Sequence, residues 1–392
     1  MSDPRFEPLI AFIRQQYPDE DPIPLHVPRF AGREAEYLTE TIRSTYVSYV
    51  GPFVREFERQ FARYVAAEHA VAVVSGTAGL HLALLAVGVR PGDEVITQPL
   101  TFVATANAIR YVNAHPVFVD IDAETLGLSP DAVAAFLRAY ALPRSDGVYN
   151  RRTGRRIAAC LPVHTFGHPM RITELVGLCR EYGLPVVEDA AEALGSWYQG
   201  RHAGTFGRVG VFSFNGNKIV TTGGGGMIVT QDPALADRVR HLSTTAKVPH
   251  PYEYVHDEVG YNYRMPNVNA AVGLAQLEQL PRFLEDKRAL AHAYRALAQQ
   301  LGVGFVDEPP AARSNFWLNA LLWDDEATRT AFLEYAHRRG VLARAAWRLM
   351  PDLPMYRACQ TDGLPVARSL APRLVNIPSS VRRQSLAREV QP

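Results

Sequence analysis

Lysine is scarce in this chain. Lys218, Lys247 and Lys287 are the three lysines among 41 basic residues. Lys218 closes the run Val209-Gly-Val-Phe-Ser-Phe-Asn-Gly-Asn-Lys218, just ahead of the glycines Gly223 to Gly226, so one amine is delivered to the end of an apolar strand. A desolvated lysine amine, unlike guanidinium, loses its proton near neutral pH and attacks a carbonyl, which makes Lys218 a candidate Schiff-base former. Taken alone, a surface lysine after a strand is the plainer reading.

Four further features surround it. In Leu184-Pro-Val-Val-Glu-Asp189-Ala-Ala-Glu192 an apolar strand ends in two adjacent carboxylates, and since neighbouring strand residues point to opposite faces, only one of Glu188 and Asp189 can face a ligand. A carboxylate held there keeps a pyridine nitrogen protonated and so turns the ring into an electron sink; an Asp capping the next helix is the alternative. Val74-Ser75-Gly76-Thr77-Ala78-Gly79 reads as a strand, a small-residue turn and a helix start, whose free amides and Thr77 hydroxyl suit a phosphate monoester. No Gly-Lys-Ser/Thr follows, so it is not a Walker sequence. Phe102, in Thr101-Phe102-Val-Ala-Thr105, sits at another strand-to-helix junction and offers a face to a flat heterocycle, or else is ordinary core. Ser213 supplies a further phosphate donor, or a strand hydroxyl satisfied by the backbone. An amine, a ring-nitrogen carboxylate, a stacking ring and phosphate donors together match the needs of a pyridoxal phosphate enzyme.

Weaker signals lie nearby. His164 ends an apolar run where a ligand-edge residue belongs, and equally reads as a satisfied core histidine. Arg344, near Trp347, reads as a surface ion pair or as a carboxylate contact. Arg151, Arg152, Arg155 and Arg156 form a basic group that reads as a solvated loop or as a pyrophosphate contact.

The elements that must position these groups are legible. Apolar runs at 70–75, 94–98, 116–120, 157–164, 185–189, 209–214 and 227–230 alternate with amphipathic stretches, several without polar alternation. Strands covered on both faces read this way, so the expectation is an α/β fold with a mostly parallel seven-stranded sheet and polar residues at its strand C-termini. Residues 1–265 are expected to hold an N-terminal segment, with a short helix over 6–17, and the large domain. Residues 266–392 are expected to hold a linking helix over 269–300 and a smaller C-terminal α/β domain. Residues 143–156 read as an exposed insertion.

Composition excludes other classes. With 392 residues, 47% of them apolar, the chain can bury a large core. Lys plus Arg exceeds Asp plus Glu by only one (41 against 40), so no overall field favours nucleic acid or an anionic membrane. Cys160, Cys179 and Cys359 are odd in number and lack metal-ligand spacing, and no apolar run reaches a membrane span; a cytoplasmic protein with free thiols and no metal is expected.

The stretch Glu188-Asp-Ala-Ala-Glu-Ala-Leu-Gly-Ser, then Gly204-Thr-Phe-Gly, then Gly-Val-Phe-Ser-Phe-Asn-Gly-Asn-Lys218-Ile-Val-Thr-Thr-Gly-Gly-Gly-Gly, supported by Gly260-Tyr-Asn262-Tyr-Arg-Met265, resembles the DegT/DnrJ family of fold-type I, pyridoxal-phosphate-dependent nucleotide-sugar aminotransferases. The resemblance runs along almost the whole chain and is nearest to the legionaminic acid and bacillosamine type. It implies that Lys218 joins the cofactor covalently, that Asp189 pairs with the pyridine nitrogen and that Phe102 stacks on the ring. It further implies that Glu192 lies near the ring hydroxyl, that Gly76, Thr77, Ala78 and Ser213 hold the phosphate, and that Asn262 reaches the phosphate from the partner of a homodimer; it makes Arg344 a candidate for the amino donor's carboxylate, and Lys247, His250 and Tyr252 candidates to line the sugar pocket from the partner chain. The implied reaction moves an amino group from glutamate to C4 of a 4-keto-6-deoxy nucleotide sugar, with a UDP-linked 2-acetamido sugar as the nearest case, for cell-surface glycan or nonulosonate synthesis. This sequence departs from many relatives at Gly223–Gly226 and at Glu192, where they carry Gly-Glu-Gly-Gly and Gln. Sugar dehydratases of the family carry His in place of the lysine, so Lys218 argues for transamination. A non-catalytic binding protein on this fold, and a pyridoxal phosphate enzyme acting on amino acids, are the alternatives.

Overall fold

In a computed structural model that describes residues 3–386, seven strands lie side by side to form the floor of the molecule. Their order is His115–Phe118, Glu94–Thr97, Arg156–Leu161, Val187–Asp189, Val209–Ser213, Gly226–Thr230 and His69–Val73. The parallel bridges Cys160–Val186 and Val163–Asp189 join its two halves. All neighbours run parallel except Gly226–Thr230, which is antiparallel to both of its own. The connection explains that exception. Only residues 214–225 separate it from Val209–Ser213, and they form no helix, so the crossover a parallel return needs is missing.

Alternation along the strands sorts side chains onto the two faces. Val71, Val73, Val211 and Ile228 pack with Leu80 and Leu84 of the helix Gly76–Ala86. Ala70, Ala72, Phe212 and Met227 pack on the opposite side with Phe57 and Phe61 of the helix Pro52–Val65. Both faces are dry, which is why these strands read as continuous apolar runs. Residues 143–156, expected as a loose insertion, instead complete a β-hairpin, Ala141–Arg144 with Gly147–Asn150, that pairs with the start of Arg156–Leu161. Val148 and Asn150 face inward and are buried, and that alternation anchors the hairpin.

The helix Asn267–Leu301 leads to a second, antiparallel sheet ordered Gly304–Phe305, Asn319–Leu322, Leu374–Ile377 and Arg344–Ala345. The N-terminal helix Phe6–Gln16 packs here: the Phe6 ring meets Trp323 at 5.3 Å and Phe332 at 5.5 Å. Midway along the long helix, Lys287 is wholly buried. Its Nζ donates to the Ser379 and Trp317 carbonyls at 2.5 and 3.1 Å and lies 3.1 Å from His26 Nε2. Burial pulls this amine down to about 7 and holds His26 well below its ordinary value. Three segments distant in sequence thus meet at one nitrogen. Among the described residues no helix is long and apolar enough to cross a membrane.

Replacing Trp323 with Ala opens a cavity against Phe6 and Phe332 and is expected to cost about 3–5 kcal/mol of stability. The check is a fall in the urea midpoint with an unchanged denaturant slope.

Candidate active site

The carboxyl ends of the parallel strands open into a cavity of about 530 Å³. Strand pleat decides which acid enters it. Asp189 lines the cavity, while Glu188 points to the other face, where Oε2 takes hydrogen bonds from His164 Nε2 at 2.9 Å and Gly204 N–H at 2.8 Å. Asp189 is almost fully buried, with Oδ2 accepting from the Thr105 hydroxyl at 2.7 Å and Oδ1 from the Ala191 N–H at 3.1 Å. Burial raises its carboxyl pKa above the ordinary 3.8, against the pull of these donors and of Lys218 and His164.

Lys218 follows the strand Val209–Ser213 on a short loop, and its Nζ stands 3.3 Å from Glu192 Oε1 and 3.8 Å from the centre of the Trp317 ring. Glu192 is buried too. Its Oε2 accepts from the Phe166 N–H at 2.8 Å, and burial raises its carboxyl while Lys218 draws it down. The Trp317 indole N–H donates to the Asn217 carbonyl at 2.8 Å, and the Trp317 carbonyl is one of the two held by Lys287. The residue preceding Lys218 is therefore tied, through Trp317, to the buried lysine of the long helix.

A third wall begins at the helix Gly76–Ala86, capped by Ser75 Oγ, which accepts the Ala78 N–H at 3.0 Å. Gly76, Thr77 and Ser213 all line the cavity. A side chain at Gly76 would bring its Cβ to 2.9 Å from Ser213 Cβ, and one at Gly226 would reach 2.7 Å from the Gly76 nitrogen, so only glycine lets these backbones meet. The first amides of the helix have no acceptor within it, and its dipole favours an anion. Phe102 is 53% exposed on the facing wall, where its ring meets Trp347 edge-on at 6.5 Å. A reactive amine, a buried carboxylate, an anion-binding helix start and an uncovered aromatic face fit pyridoxal phosphate as a group.

Several expected residues lie elsewhere. His164 is fully buried with both ring nitrogens engaged: Nδ1 accepts from the Met170 N–H at 3.3 Å, and Nε2 meets Glu188. It does not reach the cavity, because it shares the face of Glu188. Ala78 gives its N–H to the Ser75 cap and stands just outside the lining. Asn262 is exposed, and Lys247 is exposed with its amine over the Tyr254 ring at 4.5 Å; neither lines the cavity of its own chain. Arg344 does line it, on the C-terminal sheet opposite Asn376, and has no carboxylate partner among the described residues. Thr105, Trp317, Leu25 and Asn376 were not singled out from the sequence as site residues. Thr105 stood in the quoted Phe102 motif, while the others come from segments whose approach is a tertiary event.

Residues 28–389 match the model of the DegT/DnrJ/EryC1/StrS aminotransferase family. EpsN of Bacillus subtilis strain 168, provisionally named a pyridoxal phosphate-dependent aminotransferase, is 41% identical over 333 residues, covering 85% of this chain and 83% of that protein. A GDP-perosamine synthase of Escherichia coli O157:H7 is 37% identical over 357 residues, 91% of this chain and 93% of the relative. Among solved structures, the aminotransferase TlmJ of Streptoalloteichus hindustanus superposes with a TM-score of 0.82 at 31% identity, covering 91% and 93% of the two chains. The fold is that of fold-type I pyridoxal-phosphate enzymes. The chain belongs to the DegT/DnrJ/EryC1/StrS aminotransferase family, and its cofactor is pyridoxal 5'-phosphate.

The raised Asp189 pKa has a signed consequence. The folded chain without cofactor binds this proton more tightly than the unfolded chain, so the group's contribution to stability is full below 3.8 and is lost as pH rises through the higher folded value. Asp189→Asn is therefore expected to melt at a higher temperature than the cofactor-free wild type at pH 7. That advantage narrows as pH falls toward 3.8, while aminotransferase activity is lost; paired melting curves across pH check it.

Proposed function

We propose that this aminotransferase moves an amino group from glutamate to C4 of a 4-keto-6-deoxy nucleotide sugar, in the cytoplasm, for a cell-surface glycan. The observation that carries the reading is the joint placement of Lys218 and Asp189 in one cavity, with Gly76, Thr77 and Ser213 at its other end. The GDP-perosamine synthases among its relatives support a nucleotide-sugar substrate, and the sequence resemblance to the legionaminic acid and bacillosamine type favours a UDP-linked 2-acetamido sugar.

In this reading Lys218 would hold the cofactor covalently, Asp189 would serve the ring nitrogen, Phe102 one ring face and Glu192 the ring hydroxyl, and Gly76, Thr77 and Ser213 would hold the phosphate, Ala78 being committed to the Ser75 cap. The bound cofactor supplies an electron sink for the pair left when a proton leaves the substrate carbon. The chain's own groups do the rest. Thr105 and the Ala191 amide fix the Asp189 carboxylate, so it needs no reorganisation when charge develops beside it. The Lys218 amine would carry the proton removed from the substrate carbon, and Glu192 at 3.3 Å sets where that amine rests. Arg344, a guanidinium with no acidic partner among the described residues, meets the carboxylate of the amino donor.

A homodimer belongs to the proposal. Tyr46, Val47 and Val50, together with Tyr252, Tyr254 and Val259, are large apolar side chains left exposed, and a second copy would cover them. Asn262 and Lys247, exposed and outside the lining of their own cavity, would then serve the partner's.

Lys218→Ala is expected to abolish turnover and the visible absorbance of lysine-bound cofactor. Full activity in that variant would end the assignment. Offering the amine-loaded enzyme UDP- and GDP-linked 4-keto sugars, beside small keto acids, separates the readings. Regeneration of the aldehyde form by a keto sugar supports the proposal, and regeneration by small keto acids alone would mark an amino acid enzyme.

A further inference from the structure

On the edge of the sheet away from the active cavity, the amino ends of Glu94–Thr97 and His115–Phe118 form the floor of a second cavity of about 540 Å³. Arg110 comes from the last turn of the helix Val103–Tyr111, Arg152 and Arg155 from the turn after the hairpin, and Arg357 from the C-terminal segment 355–361. His115 joins them. Three stretches of chain, remote in sequence, thus bring four guanidinium groups to one concavity. This gives the basic group noted in the sequence a place that the transamination chemistry does not use.

Charge balance is what sets this cavity apart. Arg156, one residue on from Arg155, is neutralised by Asp93 at 2.5 Å. Among the described residues, only Arg155 of the four arginines approaches a carboxylate: its Nη1 is 3.8 Å from Oε1 of Glu94. Glu94 is buried in the floor, its Oε2 taking the Asn150 amide at 2.7 Å. Arg110 turns one nitrogen to the Ala114 carbonyl at 2.9 Å, and Arg152 and Arg357 have no acidic partner among the described residues. Desolvation first, then the charges of Arg155 and Arg110, lower the His115 pKa, so the imidazole senses the same positive field. Gathering like charges around one carboxylate works against folding, and a bound anion offsets it.

We propose that this cavity binds a small phosphorylated anion carrying a diphosphate group. Guanidinium forks pair with phosphate oxygens two at a time, and four of them on one concave wall match a diphosphate better than a single carboxylate. The volume suits a ligand of nucleotide size rather than a polymer, and the net charge of +1 gives the chain no wider basic surface for nucleic acid. A diphosphate held there spans the hairpin and the 355–361 segment, so binding raises the melting temperature. The same recognition serves free pyrophosphate and the diphosphate of a nucleotide.

The test uses the holoenzyme, whose cofactor already fills the phosphate cradle of the active cavity. Pyrophosphate, UDP and GDP are titrated calorimetrically into wild type and into the double variant Arg152→Ala/Arg357→Ala, both changes being exposed and away from the catalytic machinery. The expected result is pyrophosphate binding that weakens with added salt and falls at least about tenfold in the variant, with activity unchanged. If a nucleoside diphosphate binds more tightly than pyrophosphate, and the variant loses that excess, the ligand is a nucleotide; equal affinity assigns the free anion. No pyrophosphate binding at millimolar concentration, or equal affinity in the two proteins, overturns the proposal.

Discussion

Keeping a carboxylate out of water is the constraint around which the active cavity is arranged. Asp189 is buried with only a hydroxyl and one amide to replace its hydration, and its raised pKa registers that deficit. In the proposed function a protonated ring nitrogen would remove that deficit. Glu192, also buried, solves the same problem differently, by keeping the amine of Lys218 at 3.3 Å. Two acids with similar burial are thus assigned different partners by position alone.

Position comes from backbone that admits no slack. The pleat at Glu188 and Asp189 sends one acid to His164 and the other to the cavity, and a one-residue slip would exchange them. Gly76 and Gly226 meet where a Cβ would collide, so the helix start sits directly against the strand that follows the lysine loop. Trp317 lies beneath the Lys218 amine, and the Lys287 amine holds its carbonyl. The lysine loop and the long helix are therefore connected through a single residue, by its indole on one side and its carbonyl on the other.

Much of this was legible in the sequence, for a local reason. Lys218, Asp189, Ser213 and the Gly76–Ala78 turn each stand at the end of a short apolar run, and doubly buried parallel strands expose their chemistry only at those ends. The alternation at Glu188 and Asp189 showed that one acid must turn away, though not which. Contributions arriving from a distance were harder to see. Thr105 reaches Asp189 across 84 positions, and Trp317 reaches Lys218 from the C-terminal sheet, with nothing in the local pattern to announce either. His164 misled because the end of a strand has two faces. The antiparallel direction of Gly226–Thr230, itself expected as a strand, and the hairpin at 141–150 were missed because apolar runs carry no sign of direction, and turn-rich polar sequence hides a strand whose inward positions are few.

The scarcity of lysine gains meaning from where the three lysines sit. In a chain that otherwise uses arginine for positive charge, two of the three amines are placed where guanidinium does not fit. Lys287 is enclosed, its single nitrogen drawing on three acceptors that surround it, an arrangement a planar fork cannot reproduce. Lys218 must present one compact nitrogen to a cavity, held between the Glu192 carboxylate and the Trp317 face. Arginine at either place would keep its charge at every accessible pH. At 287 that charge would stay buried without enough acceptors, and at 218 it would remove the amine from the cavity that Asp189 lines. Four arginines at the opposite edge show the complementary choice: where a permanent, forked cation is wanted, the chain uses the residue it has in abundance.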